Sequence, residues 1–323
     1  MRQKLQYLIT LCCILFSAFV AAADPWPSKP IHFVVGFTTG GPSDVIARGL
    51  AQKMAVFLGQ SIVVDNKPGA GGNVAAEYVA RSDPDGYTWL LGNNSILATN
   101  EFLYKSLRYN PQQDFAPVGL VAIQPSILIV NNNLPAKNLK ELIALLKSNP
   151  GKYNYASSGA GAAAHLSGEM FKTSANVNVT HIPYKGAQPA LTDVIAGHVN
   201  MMFATSGSVM QFIRDKKVRA LAVTSRTRSK ELPDVPTMSE AGLPGFEAIS
   251  WHGIVVPASV PENVVLQISK ALNSALTDKE LLESYSSTGL EAKSLGPKAF
   301  GDFIKQEVPK WAKVVKESGA DIN

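Results

Sequence analysis

Short apolar runs alternate with longer segments of helical periodicity along most of the chain. Residues 31–37 form one such run, and Pro42 then begins a segment whose apolar positions recur with helical spacing. Each later run is likewise followed by a turn or a helical segment. We predict further strands at these runs, which lie at residues 62–64, 88–91, 127–130, 153–156, 179–182, 201–203 and 220–223. This order is typical of βα units with parallel strands, so the predicted fold class is α/β.

The last part of the chain predicts helices rather than further strands. After an apolar run at residues 254–256 come three segments of helical periodicity, at residues 262–276, 279–287 and 297–317. These helices need an existing surface to cover, because no later strand is long enough to add another lobe. We therefore expect the chain to cross into a second lobe near residues 122–126 and to return near residues 247–251, so that the terminal helices pack on the first lobe.

Two crossing segments imply two lobes joined by a hinge. The predicted boundaries place residues 24–124 and 249–323 in the first lobe and residues 125–248 in the second. A chain of this length also exceeds the usual size of a single hydrophobic core. A hinge between two sheets creates a cleft, which is where small ligands are usually held. We expect two α/β lobes around a ligand cleft, with the two crossing strands as the hinge.

The first 23 residues have the order of a secretory signal peptide. Arg2 and Lys4 precede an apolar stretch at residues 8–20, and residues 21–23 are all alanine. We predict cleavage after about Ala23 and export to the periplasm. An uncleaved membrane anchor is the alternative, although the apolar stretch is short for a spanning helix.

Composition narrows the range of functions. Both cysteines, Cys12 and Cys13, lie in the predicted signal peptide, so the exported protein would have neither disulfides nor thiol chemistry. Its length would be 300 residues, and the loss of Arg2 and Lys4 would lower the net charge from +5 to +3. This weak positive charge does not indicate nucleic-acid binding, although it is compatible with an anionic ligand. The simplest expected assembly state is a monomer.

Glycine- and hydroxyl-rich turns at predicted strand ends are the candidate binding elements. The first covers residues 37–44 and leads into a helix, whose N-terminus supplies free backbone N–H groups for an anion. Asp44 and Arg48 lie four residues apart, and their simplest role is an ion pair on that helix. A second turn at residues 66–73 also opens a helix, and its glycines serve either ligand approach or the tight turn itself.

Two further turns belong to the second predicted lobe. Residues 157–165 resemble a dinucleotide fingerprint only faintly, because no acidic ribose partner follows about 20 residues on. An anion cradle made of backbone donors and hydroxyls requires less. Residues 184–187 place a tyrosine and a lysine beside a flexible glycine. His165 lies one turn into a predicted helix, where it either packs behind the site or points into the cleft.

The sequence offers little for catalysis. It lacks a G-x-S-x-G nucleophile elbow, and Ser158 lies in a different glycine context. The histidines form neither an i, i+4 pair nor an H-E-x-x-H motif, and they lie at His32, His165, His181, His198 and His252. We predict no enzymatic activity, no catalytic residue, no metal and no cofactor.

Short motifs follow one another in order along the chain. They are W-P-S-K-P-I at residues 26–31, G-G-P-S-D at 40–44, N-K-P-G-A-G-G at 66–72, D-G-Y-T at 85–88, Y-A-S-S-G at 155–159, P-Y-K-G at 183–186 and L-P-D-V-P-T at 232–237. Together they resemble the substrate-binding receptors of tripartite tricarboxylate transporters, also called the Bug or TctC family. The similarity covers essentially the whole predicted exported chain.

This resemblance implies a fold, a ligand class and a partner. The implied fold is the two-lobed periplasmic binding protein or Venus flytrap, type II-like, in which the turns at residues 38–44 and 157–161 grip a carboxylate, partly through ordered waters. Backbone amides and waters suffice for this because a helix N-terminus carries partial positive charge. The implied partner is the membrane permease of a tripartite transporter, which would accept the ligand.

Two departures from the family pattern bear on the ligand. Members commonly have proline or alanine where this chain has Thr38 and Thr39, so this wall is expected to be more polar. After the strand at residues 201–203 many members have an aspartate, whereas this chain has Ala204, Thr205 and Ser206. If that aspartate grips an amine in amino-acid-binding members, its absence argues against an amino-acid ligand.

We predict a periplasmic receptor for a small mono-, di- or tricarboxylate, aliphatic or aromatic, which it passes to the permease. A ligand-sensing receptor of a signalling system and a periplasmic enzyme on the same fold are the alternatives. The predicted ligand-binding residues are Phe37, Thr38, Thr39, Gly40, Gly41, Ser43, Asp44, Ser157, Ser158, Gly159, Gly161, His165, Tyr184, Thr205 and Ser206.

Overall fold

The computed structural model describes residues 26–159 and 162–318, so the predicted signal peptide and Gly161 lie outside the described residues. The strands within these ranges are β1 (Ile31–Val35), β2 (Ile62–Asn66), β3 (Thr88–Asn93), β4 (Phe115–Asn131), β5 (Asn154–Ser157), β6 (Thr180–Pro183), β7 (Met201–Thr205), β8 (Val218–Val223), β9 (Ile249–Pro257) and β10 (Glu291–Leu295). The α-helices are α1 (Pro42–Leu58), α2 (Asn73–Ala80), α3 (Asn100–Leu103), α4 (Leu139–Ser148), α5 (Ala163–Ala175), α6 (Ala187–Ala196), α7 (Ser206–Arg214), α8 (Glu262–Ala275), α9 (Lys279–Ser287) and α10 (Pro297–Ser318). A short 3₁₀ turn, Ala70–Gly72, precedes α2, and a π-helical turn, Ser95–Thr99, precedes α3.

The predicted α/β class is confirmed, with parallel units in each half of one sheet. β1 is parallel to β2 and β3, and these three strands are called the first strand set. β5 is parallel to β6 and β7, which together are called the second strand set. The strand order is β2-β1-β3-β9-β4-β7-β5-β6, with β8 and β10 also pairing with β4. The strands between the two sets are antiparallel to their neighbours, so the sheet as a whole is mixed.

Strand β4 is shared by both halves of the sheet. Its first part pairs with β9 and β10, and its second part pairs with β7 and β8. The sequence predicts a crossing at residues 122–126, and the structure places this segment in the middle of a continuous strand of 17 residues. The return crossing is the start of β9, which begins at Ile249.

Strand directions turn the carboxyl ends of the two strand sets toward each other. β3 runs in the same direction as β4, and β9 lies between them. The last residue of β3, Asn93, pairs with His252 of β9, which in turn pairs with Ala122 of β4. β7 runs in the opposite direction, and its last residue, Thr205, pairs with Ser126 of β4. The step from Ala122 to Ser126 corresponds to roughly 13 Å of strand. The turns that follow the two sets therefore face each other along β4.

Helix α1 begins close to the carboxyl end of β1. Pro42 occupies its first position, where the missing N–H has no intrahelical acceptor and the fixed φ suits a helix. The buried face carries Ile46, Leu50 and Met54, which belong to the core under the first strand set. The helix ends at Gly59, whose φ of 67° allows the C-terminal cap. Burial of this face fixes the helix so that its N-terminus lies at the edge facing the second strand set.

Helix α10 contacts both halves of the molecule. The sequence predicts that the terminal helices cover the first lobe, and α10 indeed packs on β4 and on the π-helical turn. It also packs on α5, beside the second strand set, because its 22 residues extend for about 33 Å. Over residues 26–159 and 162–318, no helix has both the length and the apolar character needed to cross a membrane.

A buried carboxylate fastens α10 to the crossing strand β9. Glu307 Oε2 accepts hydrogen bonds from the indole N–H groups of Trp251, at 3.0 Å, and Trp311, at 2.8 Å. Lys310 pairs with the other carboxylate oxygen. Each indole donor and the buried charge are thereby satisfied. Trp251 consequently packs between β9 and α10 with no exposed surface.

One strand escapes prediction from the sequence. β10 (Glu291–Leu295) pairs antiparallel with β4, yet four of its five residues are exposed. Its sequence, E-A-K-S-L, has neither an apolar run nor an apolar alternation. Charged residues on an exposed strand are typical of sheet edges, and such a strand leaves no hydrophobic pattern to detect.

The packing of β9 leaves no room for a side chain at Gly253. A Cβ there would lie 2.2 Å from a ring carbon of Phe300 and 2.9 Å from the carbonyl oxygen of Gly119. We expect Gly253→Ala to lower the free energy of unfolding by about 1–3 kcal/mol, the usual cost of overpacking. Gly296→Ala is the control, since no atom lies within 4 Å of its added Cβ. Equal stabilities of the two variants in urea denaturation would contradict this packing.

Candidate ligand-binding site

The turn after β1, residues 37–44, is called the β1 turn and is shaped by the carboxylate of Asp44. Its Oδ2 accepts from the Gly40 amide and from Arg48 Nε, both at 2.9 Å, and its Oδ1 accepts from Asn66 Nδ2 at 2.9 Å. Burial alone would raise the pKa of Asp44, but these hydrogen bonds outweigh it and hold the pKa below its usual value. Asp44 is 2 % exposed, so it acts on the turn rather than on solvent.

The tip of the β1 turn presents hydroxyls and backbone donors. Thr38, Thr39 and Gly40 are exposed, and Gly40 has a φ of 79°, which a residue with a Cβ rarely adopts. The amides of Ser43 and Asp44 lie in the first turn of α1, where no intrahelical acceptor exists for them. These donors point along the positive end of the helix dipole, which favours an anion.

The turn after β2, residues 66–73, supports the β1 turn and is called the β2 turn. Asn66 Nδ2 also donates to the carbonyl of Phe37 at 3.0 Å, and Asn66 Oδ1 accepts from Thr39 Oγ1 at 3.2 Å. Gly36 and Gly72 touch, since a Cβ on Gly36 would lie 2.8 Å from Gly72 Cα. Gly72 thus allows close packing beside the β1 turn, a role other than the ligand approach or tight turn considered for these glycines.

Ser43 links the β1 turn to the crossing strand β9. Its Oγ lies 3.1 Å from Nε2 of His252, and both side chains are buried. Burial lowers the pKa of His252 to about 4, so the ring is neutral at pH 7. Among the described residues, Nδ1 of His252 has no hydrogen-bond partner. The first helical turn of α1 is thus anchored directly to strand β9.

The turn after β5 is called the β5 turn, and residues 157–159 are its first described residues. It begins at Ser157, which has no exposed surface. Ser157 Oγ lies 2.9 Å from the carbonyl oxygen and 3.2 Å from the amide nitrogen of Gly159. It also lies 2.6 Å from Nε2 of His181 on β6. Ser158 and Gly159 are half-buried, and Gly159 has a φ of 143°. The turn is therefore tied to the neighbouring strand through a buried hydroxyl.

Two histidines that are distant in sequence stack behind the β5 turn. The ring centroids of His165 and His181 are 3.9 Å apart with planes inclined by 16°, and Tyr155 stacks on His181 at 4.9 Å. The Tyr155 hydroxyl donates to Glu169 at 2.6 Å, and Lys172 pairs with that carboxylate. Desolvation lowers the pKa of both histidines, that of His181 to about 4, so both rings are neutral at pH 7.

The turn after β6, called the β6 turn, lies directly against the β5 turn. The amide of Tyr184 donates to the carbonyl of Ser157 at 3.0 Å, and the amide of Gly186 donates to that of Ser158 at 3.2 Å. The phenol of Tyr184 donates instead to Asp193 on α6 at 2.5 Å. The backbone of Tyr184, rather than its hydroxyl, therefore borders the β5 turn.

The turn after β7, called the β7 turn, meets the connection between α9 and β10. Thr205 and Ser206 are half-buried, and Thr205 Oγ1 donates to Ser208 Oγ at 3.0 Å. A Cβ on Gly207 would lie 2.3 Å from the carbonyl oxygen of Thr288. This close backbone contact joins the end of the second strand set to the other half of the molecule beside the facing turns.

The five turns together suit a small anion. Each leads into a helix, and helix N-termini combine N–H donors with partial positive charge. Two basic side chains near the turns are engaged elsewhere, because Arg48 pairs with Asp44 and Lys67 lies 4.2 Å above the ring of Tyr78. Lys185 of the β6 turn is exposed. In the described parts of the chain, no group of three His, Cys, Asp or Glu side chains is arranged to hold a metal ion. The turns therefore offer an anion mainly backbone donors and hydroxyls.

A cavity of about 700 Å³ on the outer side of the first strand set does not match this chemistry. It is lined by residues of β1, α2 and the connection to β3, including Lys29, Glu77 and Arg81. Lys29 pairs with Asp85, and Arg81 pairs with Glu77. These four charges are thus paired within the wall, and none of the lining residues belongs to the facing turns.

A family model described as "Tripartite tricarboxylate transporter family receptor" matches residues 46–320. The chain belongs to this family. Among its relatives, BugT of Bordetella pertussis (strain Tohama I) is 36% identical over 302 residues, which are 93% of each chain. The predicted membership of the Bug and TctC receptors is therefore confirmed. Receptors of this family are periplasmic binding proteins, so this protein is a solute-binding receptor by descent.

Two solved structures resemble this receptor over nearly its whole length. One is an R. palustris protein solved with adipate, at 35% identity and a TM-score of 0.76, covering 91% of this chain and 98% of that one. The other is MatC from Rhodopseudomonas palustris with bound malate, at 32% identity and a TM-score of 0.73, covering 90% of this chain and 100% of that one. The predicted fold of a periplasmic solute-binding protein is thereby confirmed.

The predicted site residues of this receptor fall into two groups. Ser43, Asp44, Ser157 and His165 are buried and shape the turns through hydrogen bonds or stacking. The others among the described residues are exposed or half-buried at the facing strand ends, and ligand contact stays a prediction for them: Phe37, Thr38, Thr39, Gly40, Gly41, Ser158, Gly159, Tyr184, Thr205 and Ser206.

Sequence patterns miss three supporting side chains of this receptor. Asn66 and His181 each hold a neighbouring turn, and His252 binds Ser43. Each comes from a different strand than the turn it supports, so no local spacing reveals the contact. The only sequence signal is proximity to a motif, since Asn66 opens N-K-P-G and His181 precedes P-Y-K-G.

Loss of the Asp44 charge should loosen the β1 turn. Asp44→Asn keeps the side-chain size but replaces one carboxylate oxygen with an N–H₂ group. That group is a donor and cannot accept the hydrogen bonds that the carboxylate accepts in the wild type. We expect the free energy of unfolding to fall by about 2 kcal/mol, since hydrogen bonds to charged groups contribute about 1.5–3 kcal/mol. Asp83→Asn, at an exposed position, is the control. A loss no greater than that of the control in urea denaturation would refute the role of Asp44.

Acid should destabilise the protein through two histidines whose pKa values are lowered in the folded state. The pKa values of His181 and His252 are about 4 in the folded protein, below the ordinary 6.5. Below pH 6.5 such a histidine binds a proton in the unfolded chain but not in the folded protein. The free energy of unfolding therefore falls as the pH falls from about 6.5 to about 4. For buried His252 the loss is about 3 kcal/mol, since one pKa unit is about 1.4 kcal/mol.

Urea denaturation between pH 7 and pH 4 measures this loss. We expect the free energy of unfolding to fall across that window in the wild type and to fall less steeply in His252→Gln, which cannot take up the proton. An identical pH slope in the two proteins would show that His252 is not a buried neutral ring.

Proposed function

We propose that this protein captures a small organic carboxylate in the periplasm and delivers it to the membrane subunits of a tripartite tricarboxylate transporter. The observation that carries the proposal is the facing arrangement of the β1 and β5 turns, each followed by a helix. A carboxylate suits these turns because its oxygens accept several N–H bonds and helix N-termini attract negative charge. The adipate and malate of the two structural neighbours belong to the same ligand class.

The proposed mechanism is closure of two lobes around the ligand. We assign residues 24–124 and 249–323 to the first lobe and residues 125–248 to the second, with β4 and β9 as the hinge. The hydrophobic core supports this division, since one cluster contains only first-lobe residues and another only second-lobe residues. A third cluster includes residues from both and lies along the crossing strands. A ligand that contacts both lobes favours the closed state by its difference in affinity.

The polar groups of the β5 turn favour binding over catalysis. Ser157 and His181 resemble a nucleophile and its base at 2.6 Å, but the serine has no exposed surface and is also bonded to Gly159. A nucleophile must reach its substrate, whereas this hydroxyl is used up inside the turn. We therefore favour a receptor without enzymatic activity. We also propose that it is exported, cleaved near Ala23 and monomeric.

The β7 turn bears on the ligand type. Ala204, Thr205 and Ser206 supply no charge, and the hydroxyl of Thr205 is donated to Ser208. An ammonium group in this region would have no carboxylate to pair with, which leaves it poorly solvated. We therefore favour an organic acid without an amino group, of one to three carboxylates.

Ligand-dependent thermal unfolding tests the ligand class. The panel contains adipate, malate, succinate and citrate, with adipamide and glucose as uncharged controls. At 100 times its Kd a bound carboxylate should stabilise the protein by about 2.7 kcal/mol, because it binds only the folded state. Stabilisation by the uncharged compounds but by none of the acids would overturn the proposal.

Substitution of one hydroxyl on each side tests whether both turns contact the ligand. Thr39→Val replaces the hydroxyl with a methyl group, and Ser158→Val does the same and adds a second methyl group. We expect each to weaken the Kd of the best carboxylate about tenfold, the loss of roughly one hydrogen bond. Thr192→Val and Ser148→Val, on exposed helical surfaces, are the matched controls. Isothermal titration calorimetry gives each Kd, and unchanged affinity in both Thr39→Val and Ser158→Val would remove the two residues from the site.

A further inference from the structure

The hydrogen bonds of Ser157 determine which nitrogen of His181 carries a proton. The carbonyl oxygen of Gly159 can only accept, so the single hydroxyl proton of Ser157 is donated to it at 2.9 Å. The amide of Gly159 donates to Oγ in return, at 3.2 Å. Nε2 of His181, at 2.6 Å, must then donate its own proton to the remaining lone pair of Oγ. Ser157 thus makes every hydrogen bond that a hydroxyl can make.

The ring that supplies this proton is held in place by two other rings. His181 stacks on His165 at 3.9 Å and on Tyr155 at 4.9 Å, whereas Tyr155 and His165 are 6.5 Å apart. The ring of His181 therefore lies between the other two. Tyr155 is itself fixed by its bond to Glu169 and by contact with Gly168, where a Cβ would lie 2.2 Å from the ring. The donor of His181 is thus oriented by packing on β5 and α5.

We propose that His181 is a positioning residue for ligand binding, which holds the Ser157 hydroxyl and through it the Ser157–Gly159 backbone in the shape that faces the β1 turn. The inference rests on the proposed function, because it assigns a role behind that same site. His181 does not touch the ligand in this account. It acts through Ser157 alone.

The effect reaches the ligand through the peptide groups on either side of Gly159. Both the N–H and the C=O of Gly159 are bound by Ser157, and its φ of 143° is one that residues with a Cβ rarely adopt. Without the donor of His181, Oγ keeps a buried acceptor without a partner, which disfavours its present rotamer. The backbone at Gly159 would then lose its two bonds to Ser157 Oγ and keep only the main-chain bonds of this turn. The ligand would have to supply the free energy of ordering it.

Two substitutions at His181 separate the hydrogen bond from the packing. His181→Phe keeps a ring for the stack but has no donor, whereas His181→Gln places an amide N–H₂ near the position of Nε2. With adipate and malate as probes, we expect His181→Phe to weaken the Kd about tenfold and His181→Gln to stay within about threefold. His32→Phe, at an exposed histidine of β1, is the control with an unchanged Kd.

A double-mutant cycle tests the route through Ser157. Ser157→Ala should weaken binding about as much as His181→Phe, and the double variant should be no weaker than either single variant, because both remove the same interaction. Additive losses would mean that His181 acts by another route, and an unchanged Kd in His181→Phe would overturn the proposal directly.

Hydrogen exchange of the Gly159 amide tests the positioning role without any ligand. We expect this amide to exchange about tenfold faster in His181→Phe and at the wild-type rate in His181→Gln, since only the former loses the bond that fixes Ser157. Unchanged exchange in His181→Phe, or equally fast exchange in His181→Gln, overturns the role of the donor. Faster exchange in His181→Phe, together with a wild type that is stabilised by adipamide or glucose but by none of the four acids, supports the positioning of the turn and overturns the proposed function instead.

Discussion

The direction of strand β4 is the constraint on which the site depends. Because β4 runs parallel to the first strand set and antiparallel to the second, the carboxyl ends of both sets point toward its central segment. The turns at these ends lead into helices, so their N–H donors collect where the two sets face each other. Reversal of either strand set would place its turns at the far edge of the sheet. No choice of side chains in the turns could then build a shared site.

On each side of the proposed site, a buried polar side chain fixes the shape of the turn. On one side the carboxylate of Asp44 gathers Gly40, Arg48 and Asn66, and on the other the hydroxyl of Ser157 gathers Gly159 and His181. The Asp44 carboxylate and the Ser157 hydroxyl are nearly or fully buried, so their hydrogen bonds are strong. Leaving either group without a partner would lower the stability of the folded protein. In the proposed site, mainly main-chain groups and hydroxyls are left to meet the ligand. We therefore expect selectivity among carboxylates to depend on the spacing of the two turns more than on charge.

The sequence predicts well those features that rest on local patterns. The α/β class, the strands at Ile31 and Thr88 and the helix Lys279–Ser287 follow from apolar spacing and from helix boundaries. The motifs resembling the receptor family point to the correct fold because they mark the turns at strand ends. Strand β10 escapes, since an exposed edge strand of charged residues has no apolar pattern.

Features that arise from tertiary packing are the ones the sequence leaves out. His165 and His181 have no motif spacing, yet β6 and α5 bring their rings to 3.9 Å. Asp44 reads as a possible ligand contact or as a partner of Arg48, and only its additional bonds to Gly40 and Asn66 reveal a buried scaffold. Tyr184 likewise lies in a candidate turn, but its hydroxyl is donated to Asp193 on a neighbouring helix. Which atom of a turn residue faces the ligand depends on these distant partners.

A crystal structure of the protein with the acid that binds it most tightly tests the central claim most directly. We expect one carboxylate-bearing molecule between the β1 and β5 turns, with its oxygens bonded, directly or through one water, to backbone N–H groups from both. A ligand bound by only one of these turns, or held in a cavity elsewhere on the molecule, would contradict it.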